Sequence, residues 1–387
     1  MKTHRALLSV ASTALLSLAS TAHAQSSVTL YGILDDGFQY TTNQAGGHAY
    51  QLASGTLSAS RFGFKGREDL GGGYTTVFQL ENGFNVNSGK LGQNSREFGR
   101  QAFVGIESPY GTFTLGRQYD FETLFVGPFE SGYAWSGGPG TQTGDVNNMN
   151  ASFRLNNAAK FVAKPFYGLT VGAVYSFGGT AGSVKTNSTY GAGVSYANGP
   201  FAAAASYSHI DHPNTSVYDG SSTTTGVTVI GLSYSGFVSA KTLEISAVGM
   251  SYSFGKSTIG GTFSNVDFGK LGSGSGPNPE GYSGSGVLNT GEVNYLFHFT
   301  PALMMGTAFI YTRANAAGTN GGAIYRQIDV GGTYSLSKRT DVYLWAYGQK
   351  ASGTNSVGGA AVAQLAFTTA SSNNKQLAVV AGIRHRF

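Results

Sequence analysis

The 387-residue chain has no cysteine, only 9 prolines and few charges, 11% of residues against about a quarter in an ordinary soluble domain. Without cysteine there are no disulfides, no thiolate nucleophile and no Cys-ligated metal. With so little charge the chain would struggle to cover a water-facing surface. It also lacks any apolar run of about 18 residues beyond its N-terminal segment, so helical membrane spans are excluded. Low charge without an apolar helix is resolved by short strands that hide apolar residues at every second position, the pattern of a membrane β-barrel.

What is abundant fits that reading: 58 glycines, 22 tyrosines and 25 phenylalanines. The first residues have a basic start (Lys2, Arg5), an apolar run from Ala6 to Ala19 and a small-x-small site at Ala22-His23-Ala24. Residues 1–24 are therefore expected to be a secretory signal, too short to anchor the chain, and residues 25–387 the barrel domain. Once Lys2 and Arg5 are removed, the 24 Lys and Arg only slightly outnumber the 19 Asp and Glu, a balance too mild for nucleic-acid binding.

Alternation is read along the whole mature chain. Val28, Leu30, Gly32, Leu34 and Phe38 share one phase, and Thr29, Tyr31, Ile33, Asp35 and Gln39 the other. Phe62 and Phe64 alternate against Arg61, Lys65 and Arg67. Beyond the turn Leu70-Gly71-Gly72-Gly73, Phe78, Leu80 and Phe84 oppose Thr75, Gln79 and Glu81. Sixteen strands are predicted: 27–40, 58–68, 74–84, 98–107, 112–118, 157–164, 169–177, 190–197, 201–209, 243–254, 257–268, 287–299, 303–313, 325–335, 341–350 and 376–387. Short turns at one end alternate with long loops at the other, as insertion from the periplasm requires. The longest loop runs from about Tyr119 to Asn156. Thr225 to Ser235 also looks strand-like, but an odd count would place the termini on opposite sides, so it is assigned to a loop. Two features break the alternation. Asp36 falls in the apolar phase and is read as a rim or subunit-contact position, and Ala102 and Val104 share the phase of Arg100 and are read as lumen-lining.

The final strand places Leu377, Val379, Ala381, Ile383, His385 and Phe387 in one phase, so the terminal Phe387 is expected to anchor it among interfacial aromatics. Lys65 and Arg61 share a lumen phase, while Asp120, Glu122, Glu130 and Asp145 lie in the long loop. That distribution predicts opposed charges across a narrow aqueous gap, a field that would orient dipolar solutes.

Other chemistry is not supported. Gly255-Lys256-Ser257 lacks the glycine that a phosphate loop needs, since Met250 stands there, and it joins strand to strand. His209 and His212 have only Asp211 as a further ligand, so no metal is expected. The Gly/Ser-rich stretch 272–286 reads as a loop. No serine occupies the strand-turn-helix elbow of a hydrolase, and neither an enzymatic activity nor a cofactor is expected. The rival readings are a substrate-specific channel and an exported adhesin or structural β-protein.

Five ordered elements carry a family resemblance: Ser27-Val28-Thr29-Leu30-Tyr31-Gly32, the run from Ser60 to Gly73, Gly116-Arg117-Gln118-Tyr119, the run from Tyr334 to Thr340, and the ending Gly382-Ile383-Arg384-His385-Arg386-Phe387. They resemble the general porins of β-proteobacteria. The resemblance implies a sixteen-stranded homotrimeric barrel, a third loop folded into the lumen, and an eyelet in which loop acids face wall arginines. By matching context those arginines are Arg61, Arg100 and Arg154. The surroundings of the last, Arg154-Leu155-Asn156-Asn157-Ala158-Ala159, depart from the family's Arg-x-x-Asn-Ser pattern. The implied partners are outer-membrane lipid and lipopolysaccharide, with small hydrophilic solutes and ions as cargo. Cations outnumber acids on the matched wall, so a weak anion preference is expected.

Overall fold

A computed structural model describes residues 27–219, 231, 233–315 and 321–387. The expected signal lies outside them. The elements are β1 (Ser27–Gln44), β2 (Gly47–Ser54), β3 (Arg61–Gly71), β4 (Tyr74–Gly83), β5 (Gln101–Glu107), β6 (Gly111–Gln118), β7 (Leu155–Ala163), β8 (Leu169–Ser176), β9 (Thr189–Asn198), β10 (Phe201–Asp211), β11 (Thr242–Phe254), β12 (Ser257–Gly269), β13 (Gly286–His298), β14 (Leu303–Asn315), β15 (Gly322–Ser335), β16 (Thr340–Gly353) and β17 (Lys375–Arg386).

From β3 onward each strand pairs antiparallel with the next, and β1 closes the circle against β17 with Phe38 opposite Ala381. Both β2 and β3 pair with β1, Asp36 to Gln44 with β2 and Ser27 to Ile33 with β3. These two segments are one wall strand interrupted at residues 55–60, and the barrel has sixteen. The predicted strands all appear, most of them within three residues of the expected ends. Of the stretch Thr225 to Ser235, only Gly231 and residues 233–235 are described, and those from 233 form a turn.

Glycine builds the short turns. Gly71, Gly72 and Gly73 take φ of 78°, 63° and 84°, a run of left-handed residues that side chains with a Cβ would strain. On the wall, Val248, Met250 and Tyr252 of β11 face outward, and Leu243, Ile245 and Ala247 are buried inward. The other strands repeat this period of two. Beside the short turns stand exposed Tyr74, Tyr110, Phe166, Tyr252, Phe299 and Tyr334, the aromatic girdle of a membrane interface.

One expectation is corrected. Val104 is 53% exposed and pairs with Phe78 and Leu115, so Ala102 and Val104 belong to the outward face and not to the lumen lining. The phase of Arg100 does not carry over, because Arg100 stands before β5 begins and alternation holds only within the strand. Asp36 does lie in the outward phase, where it accepts a 3.0 Å hydrogen bond from Asn87 Nδ2 in the loop after β4.

The segment between β6 and β7 folds into short helical turns, Glu122–Val126, Gly127–Phe129, Gly132–Ser136, Gly138–Gly140 and Thr143–Asp145. It packs against the inward-facing residues of the wall. Ser131 N donates to Glu292 Oε1 at 2.7 Å, Gln142 Nε2 to Glu292 Oε2 at 2.9 Å, Asn147 Nδ2 to Ser264 Oγ at 2.8 Å, and Gln327 Nε2 to the Pro139 carbonyl at 3.1 Å. Its aromatics land where the wall has no side chain. A Cβ on Gly193 would lie 2.7 Å from Phe121, on Gly249 2.8 Å from Phe129, and on Gly306 2.8 Å from Trp135. The Trp135 ring also meets that of Trp345 at 5.2 Å between centroids. Bare wall under each ring lets the segment lie close enough for the polar bonds to form.

Candidate functional site: a wall of arginines

Register brings the wall charges together. Counting back from the glycine turn, β3 and β4 pair Gly63 with Glu81 and Arg61 with Gly83. A glycine opposite the acid leaves room for its neighbours to converge. Arg100 Nε donates to Glu81 Oε1 at 2.8 Å, Arg61 Nε approaches Glu81 Oε2 at 3.8 Å, and the Tyr31 hydroxyl donates to Glu81 Oε2 at 2.9 Å. Gln79 Nε2 in turn donates to the Tyr31 oxygen at 2.6 Å.

Tyr119, the first residue past β6, links this group to Arg154. The guanidinium carbons of Arg100 and Arg154 stand 6.0 and 5.1 Å from the centre of its ring, and Arg154 Nη2 approaches its hydroxyl at 3.5 Å. Cation–π contacts of this kind are worth about 0.5–2 kcal/mol. Burial alone would raise the Tyr119 hydroxyl, but the two guanidiniums bring it below the ordinary phenol value. The result is a chain of contacts, Arg61, Glu81, Arg100, Tyr119, Arg154, with three cations and one acid. Arg154 joins it although its sequence context departs from the family pattern. Lys65 stands apart, its ammonium 5.4 Å from the centre of the Tyr31 ring.

The four loop acids do not meet these cations, which corrects the expected picture of charges opposed across the gap. Asp120, Glu122, Glu130 and Asp145 are 0–2% exposed, and among the described residues none forms an ion pair with Arg61, Arg100 or Arg154. They turn toward the loop's own backbone and the wall behind it. Asp120 takes the Thr123 amide at 3.0 Å and Asn148 Nδ2 at 2.6 Å. Glu122 takes Ser208 Oγ at 2.9 Å and Glu130 the Gln142 amide at 2.8 Å. Asp145 takes the amides of Asn150 and Ser152, each at 2.9 Å, and the Ser152 hydroxyl at 2.7 Å. Burial pushes all four up, Glu122 and Glu130 well above the usual carboxylate range and Asp145 to about 6. A buried carboxyl resists ionisation, since its charge would lose hydration that a few hydrogen bonds only partly replace.

Glu81 was legible only as a lumen-phase residue of β4. Hairpin counting from Gly71 to Gly73 would have placed it beside Arg61. Phe387, as expected, lies on the outward phase, 43% exposed, and its backbone pairs with Gly32 in both directions at 3.0 and 3.1 Å. His209 bonds Glu244 and stacks on Tyr190, His212 bonds Asp211, and no metal-binding cluster occurs among the described residues.

A closed sixteen-stranded barrel with an outward apolar face, aromatic girdles and a charged interior is a transmembrane β-barrel channel. The chain matches the family described as Gram-negative porin over residues 11–356, and it belongs to that family. It is 30% identical to an outer membrane porin protein of Bordetella pertussis, over 98% of this chain and 99% of that one. In fold it is similar to an anion-selective porin from Comamonas acidovorans, with a TM-score of 0.71 at 23% identity over 94% of this chain and 100% of the other. It is also similar to the trimer form of OmpT, an outer membrane protein of Vibrio cholerae, with a TM-score of 0.63 at 16% identity over 94% and 99%. The protein is thus an outer membrane porin, a channel and not an enzyme.

Proposed function

We propose that this porin is a general diffusion channel with a weak preference for anions, and that the segment 119–154 and the arginine wall form its constriction. The observation that carries this is the charge count at the site: Arg61, Arg100 and Arg154 share a single carboxylate, Glu81, while the loop acids are buried behind their own backbone. Fixed guanidiniums in a narrow water-filled gap raise the local anion concentration and repel cations. Because Glu81 offsets one charge, the preference is modest. Lys65 extends the positive wall beyond the constriction.

The chain works as a homotrimer surrounded by outer-membrane lipid and lipopolysaccharide, reaches its place through cleavage after residue 24, and is anchored at its closing strand by Phe387. Of the two structural relatives, one is an anion-selective porin and one is known in a trimer form, which supports this reading. It is tested by planar-bilayer recording of the folded protein under a potassium chloride gradient. Stepwise currents closing in threes, with a reversal potential of the sign set by chloride, are expected. A cation-signed potential would overturn the arginine reading, and silence from inserted protein would overturn the channel reading.

A further inference from the structure

The lumen holds a second feature that the constriction does not use. Between β1, the β3–β7 wall and the start of the loop lies a recess of about 480 Å³, within the usual range of small-molecule sites. The register fixes its layout. Lys65 pairs with Gln79 and Gln79 with Phe103, while Thr114 pairs with Lys160. Phe103 therefore stands on the middle strand, two strands from Lys65 on one side and two from β7, which carries Lys160, on the other. At about 4.8 Å per strand each bank is roughly 10 Å along the wall. Beside Phe103 the wall carries Gly116, which has no side chain, and Leu124 of the loop adds apolar surface from above.

The charges of the recess are not self-cancelling. Its acid, Glu107, is held by Arg67 at 2.8 Å and Lys164 at 3.9 Å. Among the described residues neither Lys65 nor Lys160 has a carboxylate at ion-pair distance. Lys160 donates one bond, to the Tyr119 carbonyl at 3.1 Å, and an ammonium has three donors. The recess thus offers an aromatic floor flanked by two ammoniums without an ion-paired carboxylate, Lys65 resting over the Tyr31 ring and Lys160 within the longer-range field of Asp120.

We propose that this recess is a binding site for aromatic carboxylates, above all those with a carboxylate at each end of a flat ring. The ring lies on Phe103 beside Gly116 and under Leu124, and the carboxylates take Lys65 and Lys160. A small inorganic anion gains only the charge contacts and passes. The site rests on the channel reading above and refines it from anions in general to a class held in transit.

The test is block of the chloride current by benzene-1,4-dicarboxylate, with succinate as the dianion that lacks the ring. The aromatic dianion is expected to half-block at about a tenfold lower concentration, the scale of one good ring-on-ring contact. Phe103→Ala should remove that difference while leaving the chloride current and reversal potential as they were. Phe103→Leu, which keeps the bulk, should remove most of it, and Lys160→Met should weaken block by the aromatic dianion. Equal block by the two dianions, or a preference that survives Phe103→Ala, would overturn the site while the channel reading stands. Absence of any chloride current would overturn the channel reading itself.

Discussion

Arg100, just before β5, and Glu81 of β4 are joined by a buried 2.8 Å hydrogen bond, and that carboxylate also lies 3.8 Å from Arg61. In the proposed constriction the sign is the balance of this group, so each member is expected to affect selectivity.

Glu81→Gln keeps the shape and the acceptor for Arg100 but removes the only counter-charge of this group among the described residues. The reversal potential in a tenfold salt gradient should move further toward that of chloride, by several millivolts, and return on raising ionic strength as the charges are screened. A shift toward potassium would contradict the placement of Glu81 in the gap.

Arg154→Ala and Arg61→Ala should each lower the anion preference, and the double variant should lower it further. Arg154→Ala also frees Tyr119 from one of its two cations and should cost about 1 kcal/mol of local stability, on the scale of a buried cation–π contact. Reversal potential measures the first effect and the denaturant midpoint the second.

Asp145 gives a pH dependence with a fixed sign. Its carboxyl is raised to about 6 by burial, above the value of about 3.9 expected in the unfolded chain. A raised acid favours the folded state when protonated, so its contribution is complete below about pH 4 and is lost as pH rises through about 6. Two units correspond to roughly 2–3 kcal/mol. Unfolding followed by tryptophan fluorescence, which reports on Trp135 of the loop and Trp345 of the wall together, should occur at higher denaturant at pH 4 than at pH 7.5. Asp145→Asn should make the profile shallower, the remainder belonging to Asp120, Glu122 and Glu130, and an unchanged profile in that variant would remove Asp145 from the dependence.

Gly249→Leu would drive a side chain into the ring of Phe129, whose Cδ2 already lies 2.8 Å from where a Cβ would sit. Overpacking of this kind costs about 1–3 kcal/mol. The loop should lift and unitary conductance should rise, with the folded barrel retained. The same substitution at Gly291, where no atom lies within 4 Å of a Cβ, should leave conductance unchanged.

The barrel was legible because its signals are local. A strand facing lipid on one side and water on the other must alternate, a tight turn must supply left-handed residues, and Val28 to Phe38 or Gly71 to Gly73 announce these things within a few positions. The first piece of the second wall strand, Gly47–Ser54, was not predicted, since most of its residues are exposed on both faces and it shows little alternation, and the interruption at residues 55–60 went unread with it. Nor was the orientation of Glu122 or Glu130 legible. Their partners Ser208 and Gln142 stand 86 and 12 residues away, and nothing near an acid in a polar loop tells whether it faces water or the wall. Alternation misled at Ala102 and Val104 for a related reason: it was extended back to Arg100, which stands before the strand starts.

The bare glycines beneath Phe121, Phe129 and Trp135 and the inward-turned acids together divide the labour of the pore. In the proposed constriction the part of the loop that carries these rings rests on the wall through them and through hydrogen bonds and contributes mainly thickness, while Arg61, Arg100, Glu81 and Arg154 at the end of the loop contribute mainly sign. On that reading bore and selectivity are separable quantities, and changing a loop ring or a wall glycine should retune the first while leaving the second intact.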